Sequence, residues 1–242
     1  MFKKVESCIL VYLATRRLAI KMKKSGLALF IGLIFPLSQT ASANVINISY
    51  TDAGSYKDDG KTNTSSLNHI TGLASNVEYR SFFVFDLSAV TDTVVGASLR
   101  VFNPSNGYIS PDVNETFDVY DVSTSISILT DGTGGTSAFG DLGTGLLYGS
   151  ATINSTDINT VIDITLNTDA LDAINQASGL FALGGTLSSI SGGLDQVVFS
   201  STSEPGLTRE LQLTTVPVPA AVWLFGSGLI GLIGVARRNS RV

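Results

Sequence analysis

Two apolar runs, one near each end of the chain, fix how much of it is left to fold as a water-soluble domain. Near the N-terminus, Lys21, Lys23 and Lys24 precede an uncharged stretch from Leu27 to Leu37, and Ala41-Ser42-Ala43 follows. A basic region, a short apolar region and small residues at an A-x-A site are the three parts of a secretory signal peptide. The apolar stretch is 11 residues long, whereas a stable membrane-spanning helix needs roughly 20. Cleavage is therefore expected between Ala43 and Asn44, making 1–43 the signal peptide. Met22 begins a more ordinary signal peptide than Met1 and is the expected true start. The only cysteine, Cys8, falls in the removed part, so the mature chain is expected to have no disulfide, thiol nucleophile or cysteine metal site.

At the other end, Val216-Pro217-Val218-Pro219-Ala220 leads into the apolar run Ala221 to Ala236, closed by Arg237, Arg238 and Arg241. The run suits one bilayer crossing, with the arginines held on the cytoplasmic side and Trp223 near the outer interface. A short proline motif, an apolar helix and a basic tail are the parts of the PEP-CTERM sorting signal, and residues 216–242 resemble that family. The usual Pro-Glu-Pro has Val218 in place of its central Glu. The resemblance implies export, transient anchoring in the inner membrane and recognition by the transpeptidase exosortase. Cleavage near the proline motif would then deliver the protein to the cell surface or medium. The residues it singles out are Val216, Pro217, Val218, Pro219, Ala220, Arg237 and Arg238; signal peptidase would act at Ala41, Ala43 and Asn44.

Between the signals lie residues 44–215, enough for one domain with a core of its own. Nineteen acidic residues face five basic ones there (Lys57, Lys61, Arg80, Arg100 and Arg209), a formal −14. Such a surface repels nucleic acid and anionic lipid. Period-two alternation dominates: Tyr79–Leu87 with Phe83, Phe85 and Leu87 on one face; Val95, Ala97, Leu99 and Val101; Phe117 and Val119; Val161–Leu166; Gln196–Ser200; and Glu210–Thr215. Turn residues separate the runs at Asn103-Pro104, Asn106-Gly107, Asp131-Gly132 and Gly192-Gly193. One short helix is expected, capped by Thr168 and ended near Gly179. The Gly/Thr-rich stretch from Ser125 to Gly149 reads as a long mobile connection. Many short strands with frequent turns predict an all-β, antiparallel sandwich with one wet face per sheet.

Arg80–Ser88 followed by Gly96–Phe102, then Asp163-Ile164-Thr165, Gly179–Leu183, Phe199-Ser200 and Ser203-Glu204 come in an order that resembles DNRLRE-type secreted β-sandwich domains. The resemblance implies a jelly-roll-like sandwich and says little about function, because such folds host lectins, spacers and enzymes alike.

The residues themselves point only weakly to chemistry. His69 is the only histidine, and no serine lies in a G-x-S-x-G elbow; His69 is expected to be a polar loop residue. Asp52, Asp58 and Asp59 cluster in sequence, as do Asp112, Glu115, Asp118 and Asp121. Calcium is the cation that such acidic loops could take, although neither group has EF-hand spacing; no other cofactor is called for. Saccharide stacking needs an exposed aromatic, and Tyr50, Tyr56, Tyr108, Tyr120 and Tyr148 are the platforms considered, with Tyr108 foremost. The leading expectation is a non-enzymatic, exported surface or matrix protein that meets exopolysaccharide. A calcium-stabilised carbohydrate-binding module is the alternative, and a polysaccharide hydrolase using two of the carboxylates is the weaker one.

Overall fold

The computed structural model describes residues 42–200, 202–204 and 206–217. Among them are ten strands: β1 (Asn44–Lys57), β2 (Thr71–Ala74), β3 (Val77–Asp86), β4 (Thr93–Asn103), β5 (Asn114–Asp121), β6 (Leu147–Asn154), β7 (Thr160–Thr165), β8 (Leu180–Leu187), β9 (Gln196–Val198) and β10 (Arg209–Val216). Three short helices interrupt them: α1 (Ile126–Thr130), α2 (Gly135–Asp141) and α3 (Thr168–Gln176). The fold is thus mostly antiparallel β. No described helix is long and apolar enough to cross a membrane; the expected spanning segment, Ala221–Ala236, lies outside the described residues.

Every strand pairing is antiparallel, and hydrogen bonds link the strands in the order β6-β5-β8-β3-β1-β10-β4-β7, with β2 and β9 branching beside β3. The two ends of this path approach each other. The Asn167 backbone N–H donates to the Tyr148 carbonyl at 2.7 Å and its side-chain amide to the Leu147 carbonyl at 2.6 Å, so the sheet is nearly closed.

Strand β1 belongs to both halves of this sheet. Asn44–Ser49 pair with β10, and from Tyr50 onward β1 pairs with β3, with a register shift between Tyr50 and Asp52. The extra residue, Thr51, turns its hydroxyl to the Val84 carbonyl at 3.1 Å. A bulge bends a strand and increases its twist, which lets one strand serve two layers. Between the layers, Leu99, Val101, Ile164, Leu211 and Leu213 meet Phe83, Phe85, Phe117, Val119 and Leu183, all fully buried.

The alternation expected for β4 breaks at a second bulge. Thr214 opposes Gly96 and Thr215 opposes Val94, so Val95 is the unpaired residue. Val94 takes the core position and Val95 is exposed.

The expectation of one wet face per sheet fails at β3. Phe83, Phe85 and Leu87 fill the main core, while Phe82 and Val84 on the opposite face are buried under Leu129, Ala138 and Leu142. These cover residues come from α1, α2 and the residue after α2, so much of the stretch expected to be a mobile connection is a packed lid, and its last part is β6. Neither helix has a side-chain cap or an acidic first turn, which is why the sequence gives no helix signal there; tertiary burial stabilises them. Two glycines in β8 make the close packing possible. A Cβ on Gly184 would lie 2.9 Å from Leu142 backbone, and one on Gly185 would lie 2.4 Å from the Phe117 ring. Helix α3 stands where expected, but its cap is Asn167, whose side-chain oxygen accepts the Ala170 N–H at 3.1 Å, and not Thr168.

Candidate functional site

The two expected processing points are neighbours in space. Ala43 immediately precedes β1, Asn44 opens it, Val216 closes β10, and Pro217 follows. Asn44 is paired with Thr215. Pro217 has no N–H to continue the ladder and marks a natural end for the strand. Ala41, Val218, Pro219, Ala220, Arg237 and Arg238 lie outside the described residues.

The acidic residues singled out by sequence have partners within the protein. Asp52 sits at the β1 bulge and accepts the Ala53 N–H at 2.8 Å; partial burial raises its pKa, and that hydrogen bond opposes the rise. The Asp58 carboxylate lies 3.4 Å from the Glu78 N–H. Asp59 pairs with Lys61 at 2.5 Å, which lowers its pKa. Glu115 is fully buried and accepts from Ser110, Ser189 and Gln196, and the Gln196 amide also reaches Asp112 at 2.9 Å. Asp118 accepts from Ser150, and Asp121 accepts the Leu146 N–H at 2.7 Å. These carboxylates brace loops and strand edges. Among the described residues, no group of three or more His, Cys, Asp or Glu side chains could hold a metal ion.

Tyr108 is half-buried against the main core, and its hydroxyl donates to the Asp112 carbonyl at 3.0 Å. Tyr56 and Tyr148 are buried, and Tyr50 packs on the core with the Arg209 guanidinium 4.9 Å from its ring centre. These rings are committed to packing.

His69 does stand in the irregular segment before β2, as expected of a loop residue, but it is enclosed and not exposed. It lies in the core, with its ring 5.0 Å from that of Phe83 and 5.9 Å from that of Phe199. The reason is Arg209, an inward-facing residue at the start of β10. Its Nε–H donates to His69 Nδ1 at 3.0 Å, and its Nη2 donates to the carbonyls of Thr202 and, at 3.1 Å, Glu204. The pair ties the segment before β2 to the segment before β10. Burial, and then the neighbouring Arg209 charge, push His69 down to about 3. The imidazole is therefore neutral at ordinary pH and is a very weak base. Phe199 nearby has φ of 56°, a left-handed conformation costly for a bulky residue, on the order of 1–3 kcal/mol. The Asn103 side-chain oxygen holds its N–H at 3.3 Å, and the Thr202 hydroxyl holds its carbonyl at 3.0 Å.

Two open polar cavities stand out. One, of about 390 Å³, lies between β6 and β7, bordered by Ser150, Thr152, Thr160 and Asp163. The other, of about 200 Å³, lies where β1 ends, among Ser55, Lys57, Thr62, Asn63, Ser66, Asn68, Ile70 and Tyr79. Lys57 and Tyr79 are cross-strand partners, and the ammonium lies 5.8 Å from the ring centre. The floor is fixed: the Thr62 hydroxyl donates to the Ser55 carbonyl at 2.8 Å, and the Lys57 N–H to the Lys61 carbonyl at 2.8 Å. The Asn68 side-chain oxygen accepts from the Thr202 N–H at 3.1 Å and shares the Thr202 hydroxyl proton, at 2.8 Å, with the Phe199 carbonyl. This locks the amide and leaves its NH₂ without an acceptor among the described residues. Lys61, Arg80 and Arg100 are ion-paired and Arg209 is buried. Among the described residues, Lys57 is thus the one solvent-reached cation with no carboxylate partner.

Sequence patterning does not find this groove. It assigns Tyr79 to the body of a strand, and Lys57 and Asn68 carry no motif. The chain matches no protein-family model, and no curated protein matches it significantly.

Proposed function

We propose that this is an exported, non-enzymatic protein of the cell surface or extracellular matrix, whose mature part is a jelly-roll-like β-sandwich released by signal peptidase at one end and by an exosortase-type transpeptidase near Pro217 at the other. The observation that carries the reading is the agreement between the expected processing points and the edges of the folded domain. Strand β1 opens at the residue after Ala43, β10 closes at the residue before Pro217, and Asn44 and Thr215 are paired. Both cuts would trim the domain flush and leave its hydrogen-bonded strands whole. The −14 surface of residues 44–215 suits a soluble extracellular domain and opposes contact with nucleic acid. His69, enclosed and held by Arg209, is withdrawn from service as a general base.

Intact mass and peptide mapping of the protein recovered from envelope and medium fractions test this reading. A species running from Asn44 to near Pro217 is the expected result. A membrane-held species that retains Arg238 would sink the transpeptidase step, and with it the matrix assignment. The sequence's alternative, a calcium-stabilised carbohydrate-binding module, gains support for its saccharide half only, from the groove beside Lys57 and Tyr79.

A further inference from the structure

We infer that the groove formed by Lys57, Asn63, Asn68 and Tyr79 is a binding subsite for one unit of an uncharged, hydroxyl-rich saccharide. The inference deepens the matrix reading above and rests on it, because a domain delivered to the matrix meets polysaccharide.

Four observations converge. The groove is a shaped cavity of about 200 Å³; pockets for drug-sized ligands run to about 300–1,000 Å³, so this one suits a single ring of a longer polymer that continues into solvent. Its unspent polar capacity is mostly donor capacity. Among the described residues the Lys57 ammonium has a ring contact and no salt bridge, with the Asp59 charge nearby; the Asn68 NH₂ has no acceptor; and Asn63 uses its oxygen for the Ser65 N–H at 3.2 Å, which leaves its NH₂ open. Hydroxyl oxygens of a sugar accept from such groups, and the Ser66 hydroxyl can take part in return. The Tyr79 ring supplies an apolar wall with a polar tip, the combination that suits a sugar's C–H face and its rim of hydroxyls. Finally, part of the site is held before any ligand arrives. Asn68 is locked by Thr202 and strand pairing fixes the backbones at Lys57 and Tyr79, so the main ordering cost on binding is that of the Lys57 side chain.

Charge selects the class. An ammonium without a salt bridge favours an electron-rich ligand, but Asp58, Asp59 and Glu78 adjoin Lys57 and Tyr79 in sequence and residues 44–215 carry a formal −14. A polyanion would be repelled over its length, whereas a neutral polymer meets no such barrier.

The test is affinity electrophoresis of the full chain through gels containing dextran, galactan, glucomannan or xylan, with polygalacturonate as the charged comparison. At least one neutral polymer is expected to retard the protein. Lys57→Met and Tyr79→Ala should each weaken that retardation about tenfold, the loss of one good hydrogen bond or ring contact. Lys61→Met removes the same charge outside the groove and should change it less than about twofold. Urea midpoints check that the Tyr79 variant is folded, and Lys57→Met, at the groove's rim, stands as the second probe if it is not. Retardation by none of the four neutral polymers, by polygalacturonate alone, or equally reduced by Lys57→Met and Lys61→Met would overturn the inference. Terminal mapping of the mature protein is unaffected by any of these results, so failure of the groove and failure of the export reading are told apart.

Discussion

The buried His69 makes a quantitative prediction about acid. Its folded-state pKa is about 3, while an imidazole in the unfolded chain titrates near about 6.5. Between those values the unfolded state holds a proton that the folded state excludes, so stability falls as pH falls. The contribution is fully present above the unfolded pKa and is lost progressively down to about 3. With one pKa unit worth about 1.36 kcal/mol, the loss is on the order of 1 kcal/mol at pH 6, 2 at pH 5 and 3 at pH 4. Carboxylates titrate over the lower part of the same range, so a difference measurement isolates the histidine. His69→Gln keeps an acceptor for Arg209 and cannot be protonated. Urea unfolding of both proteins at pH 7, 6, 5 and 4 should show the wild-type advantage shrinking by roughly 2 to 3 kcal/mol between pH 6 and pH 4. A difference that stays constant across that range, or an imidazole whose NMR signals titrate above pH 5 in the folded protein, would refute a neutral His69 enclosed by Arg209, Phe83 and Phe199.

Two further predictions concern the lid and its fit. Leu129→Ala removes a fully buried side chain of α1 from over Phe82 and Val84, and should cost about 2–5 kcal/mol by urea unfolding and open the 125–146 segment to limited proteolysis. Gly185→Ala places a methyl group 2.4 Å from the Phe117 ring and 2.6 Å from the Ser81 hydroxyl; overpacking of this kind costs about 1–3 kcal/mol, read as a lower thermal midpoint without change of fold by circular dichroism.

How far the sequence reveals this structure depends on what writes the pattern. Strands β3, β4, β5, β7 and β10 carry large apolar residues at alternate positions, and alternation is a local signal, so they are legible. Strand β1 is not, because Thr51 resets its register midway and its two halves face different partners. Strand β8 hides behind Gly184-Gly185, which reads as a turn; only the Phe117 ring and the end of α2, distant in sequence, explain why two glycines sit in a strand. Helices α1 and α2 have no capping chemistry and exist because Leu129, Ala138 and Leu142 find the back of β3. The candidate site is less legible still. Tyr108 looks available in a turn-rich segment but spends its hydroxyl on Asp112, whereas Tyr79 reads as an ordinary strand residue and borders the groove. His69 looks like a loop residue because its partner, Arg209, lies 140 positions away.

The place of β10 between β1 and β4 sets a condition on how the molecule can be made. The last described strand lies inside the sheet path, and it bonds to the first strand across a separation of 171 residues. Contacts of such long range are slow to form and reward the chain only when both ends are present. A chain that stops before Arg209 is therefore not a smaller version of this fold: it would carry two raw inner edges, one on β1 and one on β4, and no Arg209 to enclose His69. The residue that closes over His69 is among the last of the domain to be made.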